Sequence, residues 1–180
     1  MKAAHTLVAG FTLAVASFSW AAPAAPAATT PARTVPDAAQ VKAAQDMLAS
    51  MQAEKMMRAT ASASRYASEA QRKSVMEKLA RVTPAHIYQR MVLPVARLVT
   101  TETAVEMTRY YTSTYGQKIL KQKYNSGPSM FAPEAPKPTP AEKKELKRPE
   151  TVKALKAFAQ VEPAIEHEAF VLLSAIIKNP

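Results

Sequence analysis

Apolar residues in this chain recur every three or four positions and nowhere alternate over a strand-length run. Ile87, Met91, Val95 and Leu98 form one stripe, and Tyr111, Tyr115, Ile119 and Leu120 form a second. Val152, Leu155 and Phe158 precede Pro163, and Ile165, Ala169, Leu172 and Ile176 follow it. This is the helical period. Each stripe needs a partner face to leave water, which predicts an all-α fold, a small antiparallel helical bundle. Pro94 removes a backbone donor, so a kink is expected in the helix carrying the first stripe. With 3 glycines in 180 residues, the chain lacks the turn residues that an all-β or Rossmann-type fold requires.

Helix starts are legible as caps. Asp37 with Gln40, Thr83 before Pro84, and Thr139 before Pro140 with Glu142 each place an oxygen acceptor ahead of a helical first turn. Val82 is positioned to staple onto Ile87. Thr103 with Glu106 and Thr114 with Gln117 also fit the capping spacing. Arg65, Glu69, Lys73, Glu77 and Arg81 alternate in sign at four-residue steps, an arrangement of i,i+4 ion pairs on a solvated helix face. They predict one continuous helix from about Ala53 to Arg81.

The N-terminus has a different pattern. Lys2 precedes a short apolar run from Leu7 to Phe18, and Ser19-Trp20-Ala21 supplies small residues at the two positions that a signal peptidase reads. The run is too short to span a bilayer, which takes about 20 apolar residues. Residues 1–21 therefore read as a secretory signal peptide cut after Ala21. The expected organisation continues with an Ala/Pro/Thr-rich spacer over 22–36 and a helical domain over 37–125. A Pro-rich loop over 126–140 follows, then C-terminal helices over 141–178 that pack on the same domain.

Export changes how composition is read. Without its leader the 180-residue chain keeps 159 residues, one domain's worth, and loss of Lys2 takes the formal charge from +10 to +9. With no cysteine there is no disulfide, thiolate nucleophile or lipid-modified N-terminal cysteine, and the core alone must stabilise the fold. A basic surface suits anionic envelope components, and Lys143, Lys144, Lys147, Arg148, Lys153 and Lys156 concentrate it near the C-terminal helices. Glu142, Glu145 and Glu150 interleave with them and weaken the field. Nucleic acid is excluded as a partner by the expected export and by the lack of any nucleic-acid-binding signature.

Candidate chemistry is sparse. Met47, Met51, Met56 and Met57 fit a helix core, and their alternative uses are an adaptable binding groove or a soft-metal site. Glu162, Glu166, His167 and Glu168 form one acid–imidazole cluster, but on a helix His167 and Glu168 point away from the face of Glu162 and Glu166. His86 falls in the first turn of a different helix. No Ser-His-Asp order, HExxH motif or glycine-rich phosphate loop is present. The expectation is no catalytic set, no cofactor, no metal site, and no transmembrane segment once the leader is removed.

The segment from Thr100 reads Thr-Thr-Glu-Thr-Ala-Val-Glu-Met-Thr-Arg-Tyr-Tyr-Thr-Ser-Thr-Tyr-Gly-Gln-Lys-Ile-Leu. It resembles the bacterial envelope family of unknown function DUF2059. The shared features are a threonine–acid helix start at Thr101-Glu102, an aromatic pair at Tyr110-Tyr111, and Gly116-Gln117-Lys118 opening the next helix. The resemblance covers about twenty residues closely and extends with weaker motifs back to about residue 45. Tyr110 stands where the family often has phenylalanine, and Thr114 where it often has proline. The family implies an exported helical domain and supplies no activity. Tyr110, Tyr111, Gly116, Gln117 and Lys118 are thus a candidate recognition or structural motif. In the structural reading the tyrosines pack inward, Thr114 caps, and Gly116 permits close helix approach. In the recognition reading one tyrosine stays out with Gln117 and Lys118 as a polar patch.

These features predict a non-enzymatic, soluble periplasmic domain that binds another envelope component. The alternatives are a peripheral binder of anionic lipid or polysaccharide and an enzyme of unrecognised type.

Overall fold

Helices in this protein begin where a side-chain oxygen takes up a free N–H. The computed structural model describes residues 35–125 and 134–178; the leader, the spacer up to residue 34, and positions 126–133 of the Pro-rich loop lie outside the described residues. Within them are eight helices and no strand: α1 Ala38–Ser50, α2 Ala53–Ala63, α3 Glu69–Arg81, α4 Pro84–Ala96, α5 Thr101–Thr112, α6 Thr114–Asn125, α7 Pro140–Leu146 and α8 Pro149–Lys178. The Asp37 carboxylate accepts from the Gln40 N–H, and the Thr83 hydroxyl accepts from the His86 N–H. Thr139 and Glu142 form a reciprocal capping box. The Gln40 side chain does not return to its own cap. Its amide donates to the Ala96 and Val99 carbonyls, tying the start of α1 to the end of α4.

The fold is an all-α helical bundle. α1 packs on α4 and α5, while α8 crosses α5, α4, α2 and α3 in turn. At about 1.5 Å per residue, the 30-residue α8 is about 45 Å long and packs on α5, α2, α4 and α3. Its buried stripe is Thr151, Ala154, Phe158, Ile165, Ala169, Leu172 and Leu173. Methionines supply much of the opposing surface: Met47, Met51, Met56 and Met57 are all buried, joined by Met91 and Met107. Their unbranched chains fill the irregular spaces between obliquely crossing helices.

Three expectations are corrected: the long helix, two caps and the place of Val152. The helix expected from Ala53 to Arg81 is two helices, α2 and α3, separated by residues 64–68. Ser64 turns its hydroxyl back on the Thr60 carbonyl, the Tyr66 hydroxyl donates to the Ala61 carbonyl, and Ser68 caps α3 by accepting from the Gln71 N–H. These local bonds outcompete helix continuation. Arg65 therefore leaves the charge ladder, and Glu69 pairs with Arg72 rather than Lys73.

The caps expected at Thr103 and Thr114 each fall elsewhere. Thr100 caps α5, and Ser113 takes the place of Thr114 ahead of α6. Val152 points to solvent, 52% exposed, while Thr151 turns inward. The register is set by the Thr151 hydroxyl, which donates to the Glu106 carboxylate on α5 at 3.4 Å. α8 continues through Pro163 as one helix. That proline and Ala159, whose carbonyl loses its donor, are both exposed, so water replaces the missing bond. Pro94 likewise costs little, because Arg90, whose carbonyl loses its donor, is exposed.

The inward and outward positions of α8 make separable stability predictions. Phe158→Ala should cost about 3–5 kcal/mol by emptying a buried aromatic site, and Val152→Ala should stay within about 0.5 kcal/mol. Denaturant unfolding of the two variants checks this, and comparable losses would contradict the register.

Candidate functional site

The five candidate residues all lie at the corner where α5 ends and α6 begins. Ser113, in extended conformation between the helices, closes α5 and opens α6 at once. Its hydroxyl donates to the Tyr110 carbonyl at 2.6 Å and accepts from the Gly116 N–H at 3.1 Å. The Gln117 side-chain amide donates to the Tyr111 carbonyl, satisfying one of the acceptors that α5 leaves unpaired at its C-terminus. Gly116 sits hard against this helix end: a Cβ there would lie 2.0 Å from the Tyr110 carbonyl oxygen and 2.8 Å from the Tyr111 Cα. Its φ is not positive. Of the two reasons a corner can need glycine, close backbone approach is the one that applies here.

The tyrosines divide as their helical positions require. Tyr111 is buried, its ring edge-on to Phe158 of α8 with centroids 6.0 Å apart. Tyr110 is half-buried and stands edge-on to Tyr111 at 5.1 Å and to Tyr115 at 6.4 Å. Burial above all, with Tyr115 and Glu162 adding to it, pushes the Tyr110 phenol up to about 12. Burial raises Tyr111 and Tyr124 as well, and Glu162 contributes to both. All three rings stay neutral at any pH near 7, so they serve as apolar walls and hydroxyl donors rather than proton carriers.

Lys118 does not form a free polar patch with Tyr110. Its ammonium donates to both oxygens of Glu142 on α7, at 2.9 and 3.2 Å. Glu145, also on α7, takes a bond from Arg109 at 3.0 Å. Arg148 reaches Glu106 at 3.3 Å and Glu150 at 3.5 Å. No residue of α7 is buried; the ion pairs to Lys118 and Arg109 tie this helix to α6 and α5, and its capping box stabilises its own first turn.

The result is a cleft of about 330 Å³ between the α5–α6 corner, α7 and the first turn of α8. Tyr110, Tyr115, Ala141 and Leu146 give it apolar walls. Arg109, Lys144, Arg148, Glu142 and Glu145 make a rim of nearly balanced charge, and Ser113, Thr114 and Thr151 add hydroxyls. A second hollow of about 220 Å³ lies on the other side of Tyr110, lined by Tyr111, Tyr124, Phe158, Lys123 and Glu162 among others. Tyr110 is the wall between them.

The acid–imidazole cluster does not assemble. Glu162 and Glu166 both face Lys123, at 2.9 and 3.5 Å, and His167 is exposed. Among the described residues no three His, Cys, Asp or Glu side chains are grouped to hold a metal ion. His86 borders a hollow shared with Arg90 and otherwise apolar residues, with no carboxylate among its walls. Sequence reasoning missed Glu106, Thr151 and the roles of Arg109 and Arg148. Their pairings span 36 to 45 residues and have no local signature.

No family model, no curated protein and no solved structure matches the chain.

Two outcomes follow from this geometry. Gly116→Ala should already cost about 1–3 kcal/mol, because the clash is with backbone rather than a movable side chain. Lys118→Ala should cost under about 1 kcal/mol as the loss of a partly solvated ion pair; thermal unfolding that ranks them the other way overturns the packing account. The hydrogen bond from Lys118, followed by that from the Thr139 N–H, holds the Glu142 carboxyl below the usual range. Its stabilising contribution is therefore present above the unfolded-state pKa and lost as pH falls through the lower folded-state value. Carbon NMR titration should show the Glu142 midpoint rise in Lys118→Ala; an unchanged midpoint would remove Lys118 as the cause.

Proposed function

We propose that this chain is an exported, non-enzymatic helical domain of the DUF2059-like kind, and that it recognises another component of the cell envelope at the Tyr110 cleft. The observation that carries the reading is the cleft's construction. The segment that resembles the family builds one wall, and α7, with no buried residue of its own, builds the other. A partly open, mostly apolar hollow with a charged rim accepts an apolar or aromatic side chain of a partner. Its carboxylates are engaged by Lys118, Arg109 and Arg148, an arrangement suited to shaping a rim rather than moving protons. Among the described residues no helix is long and apolar enough to cross a membrane, in keeping with a domain released into the envelope space. The leader-like N-terminus supports that address.

The anionic-surface alternative rests on exposed Lys143, Lys144, Lys147, Lys153 and Lys156. Arg148, the sixth member of that group, is taken up by Glu106, Glu145 and Glu150, which leaves less free charge than the sequence alone offers. The test is site-specific photocrosslinking in the native host, with the photoreactive residue at Tyr115 in the cleft and, as control, at Lys73 on α3. The exported chain should begin at Ala22 by mass and give a discrete adduct from position 115 alone, lost when Leu146→Glu places charge in the cleft. Equal adducts from both positions, or none, would overturn the cleft reading. Salt-sensitive sedimentation with phosphatidylglycerol vesicles, unaffected by Leu146→Glu, would put the basic surface in its place.

A further inference from the structure

On the face of the bundle formed by α4 and the C-terminal half of α8, two hollows of about 200 and 150 Å³ share Arg90, Leu172 and Ala175 as walls and so form one groove. Its lining is mostly apolar: Val82, Ile87, Met91, Pro94, Val171 and Ile176 join them, with His86 at one end and Glu168 as its one carboxylate. Large apolar side chains stand exposed at its margin, Leu93 at 50% and Val171 at 47%. Apolar surface gathered around a concavity, rather than scattered singly, marks an interaction site.

Charge selects the occupant. His86, Arg90, Leu93 and Arg97 are spaced four, three and four apart, which lines them up along the exposed face of α4 beside the groove. Arg90 and Arg97 are exposed, and among the described residues neither forms an ion pair. Arg58, Arg65 and Arg81 are likewise exposed and unpaired among the described residues, so what distinguishes Arg90 and Arg97 is their place beside an apolar concavity. Two arginines left unmatched along an apolar groove complement carboxylates, not a second copy of a chain with a formal charge of +10. Backbone bonding selects its conformation. Both walls are helices whose N–H and C=O groups bond internally, so an extended segment would find no ladder, while a helix brings its own bonds satisfied.

We propose that the α4–α8 groove seats an amphipathic helix of a partner protein, with its apolar face in the two hollows and its acidic flank along Arg90 and Arg97. This site lies apart from the Tyr110 cleft and does not depend on it.

The probe is a synthetic amphipathic peptide of about 16 residues, long enough to span α4, with leucines at helical anchor spacing and glutamates along one flank. Its twin carries lysines in place of the glutamates. Methyl NMR of the labelled full chain should show shifts at Ile87, Leu93, Val171 and Ala175. The acidic peptide should bind about tenfold tighter than its twin, the effect of two rim ion pairs. Arg90→Glu with Arg97→Glu should reverse that preference, Ala175→Trp should abolish binding by filling the groove, and Tyr115→Ala in the other cleft should change nothing. The surface double variant needs no core rearrangement, so the charge test stands even if Ala175→Trp folds poorly. Equal affinity for the two peptides, shifts confined to another face, no binding, or self-association through the groove in sedimentation would each overturn the proposal.

Discussion

The buried stripe of α8 is the constraint on which the other helices depend. None of the shorter helices can bury its apolar face alone, and isolated helices of 11 to 13 residues are marginal in water. α8 offers a surface to α2, α3, α4 and α5, while α1 packs on α4 and α5: Phe158 meets Tyr111 of α5, and the Ile177 carbonyl accepts from Lys78 of α3 near the C-terminal end. Continuity through Pro163 is what makes this work. Had that proline faced the core, its missing N–H would have left a buried carbonyl unpaired and broken the helix into two shorter ones.

Against this spine, the α5–α6 corner is a packing device with a functional by-product. Ser113, Gln117 and the absent side chain of Gly116 let α6 start directly on the end of α5, closing the free carbonyls of Tyr110 and Tyr111. Turning the chain so sharply leaves Tyr110 only half covered, and the space beside it is roofed by α7. Because α7 buries nothing, its position leans on the ion pairs from Lys118 and Arg109, which are partly exposed and screened by salt. The wall with the least hydrophobic anchorage is thus the one that shapes the cleft, and such segments are where ligand-binding elements are commonly found.

The two concave surfaces differ in kind. The Tyr110 cleft is small, aromatic and nearly neutral at its rim, suited to one inserted side chain. The α4–α8 groove is elongated and mostly apolar, with unpaired arginines beside it.

What the residues determined by themselves was local. Helical period gave the all-α class, Asp37, Thr83 and Thr139 marked three helix starts, and the methionines were placed in the core, because caps and apolar spacing act within a turn or two of chain. Proximity of the five motif residues was also readable, since all lie within nine positions. Tertiary structure alone decided the outcomes that depend on distant partners. Glu106 pulled Thr151 inward and so turned Val152 out. Burial of Tyr66 against its own helix end helped break the predicted long helix at residues 64–68. Glu142 claimed Lys118, turning a supposed recognition residue into a strut. Close approach fixed the need for Gly116, where sequence allowed a positive φ equally well. For Thr151 and Lys118 the deciding atom comes from an element brought in by packing, which no spacing along the chain encodes.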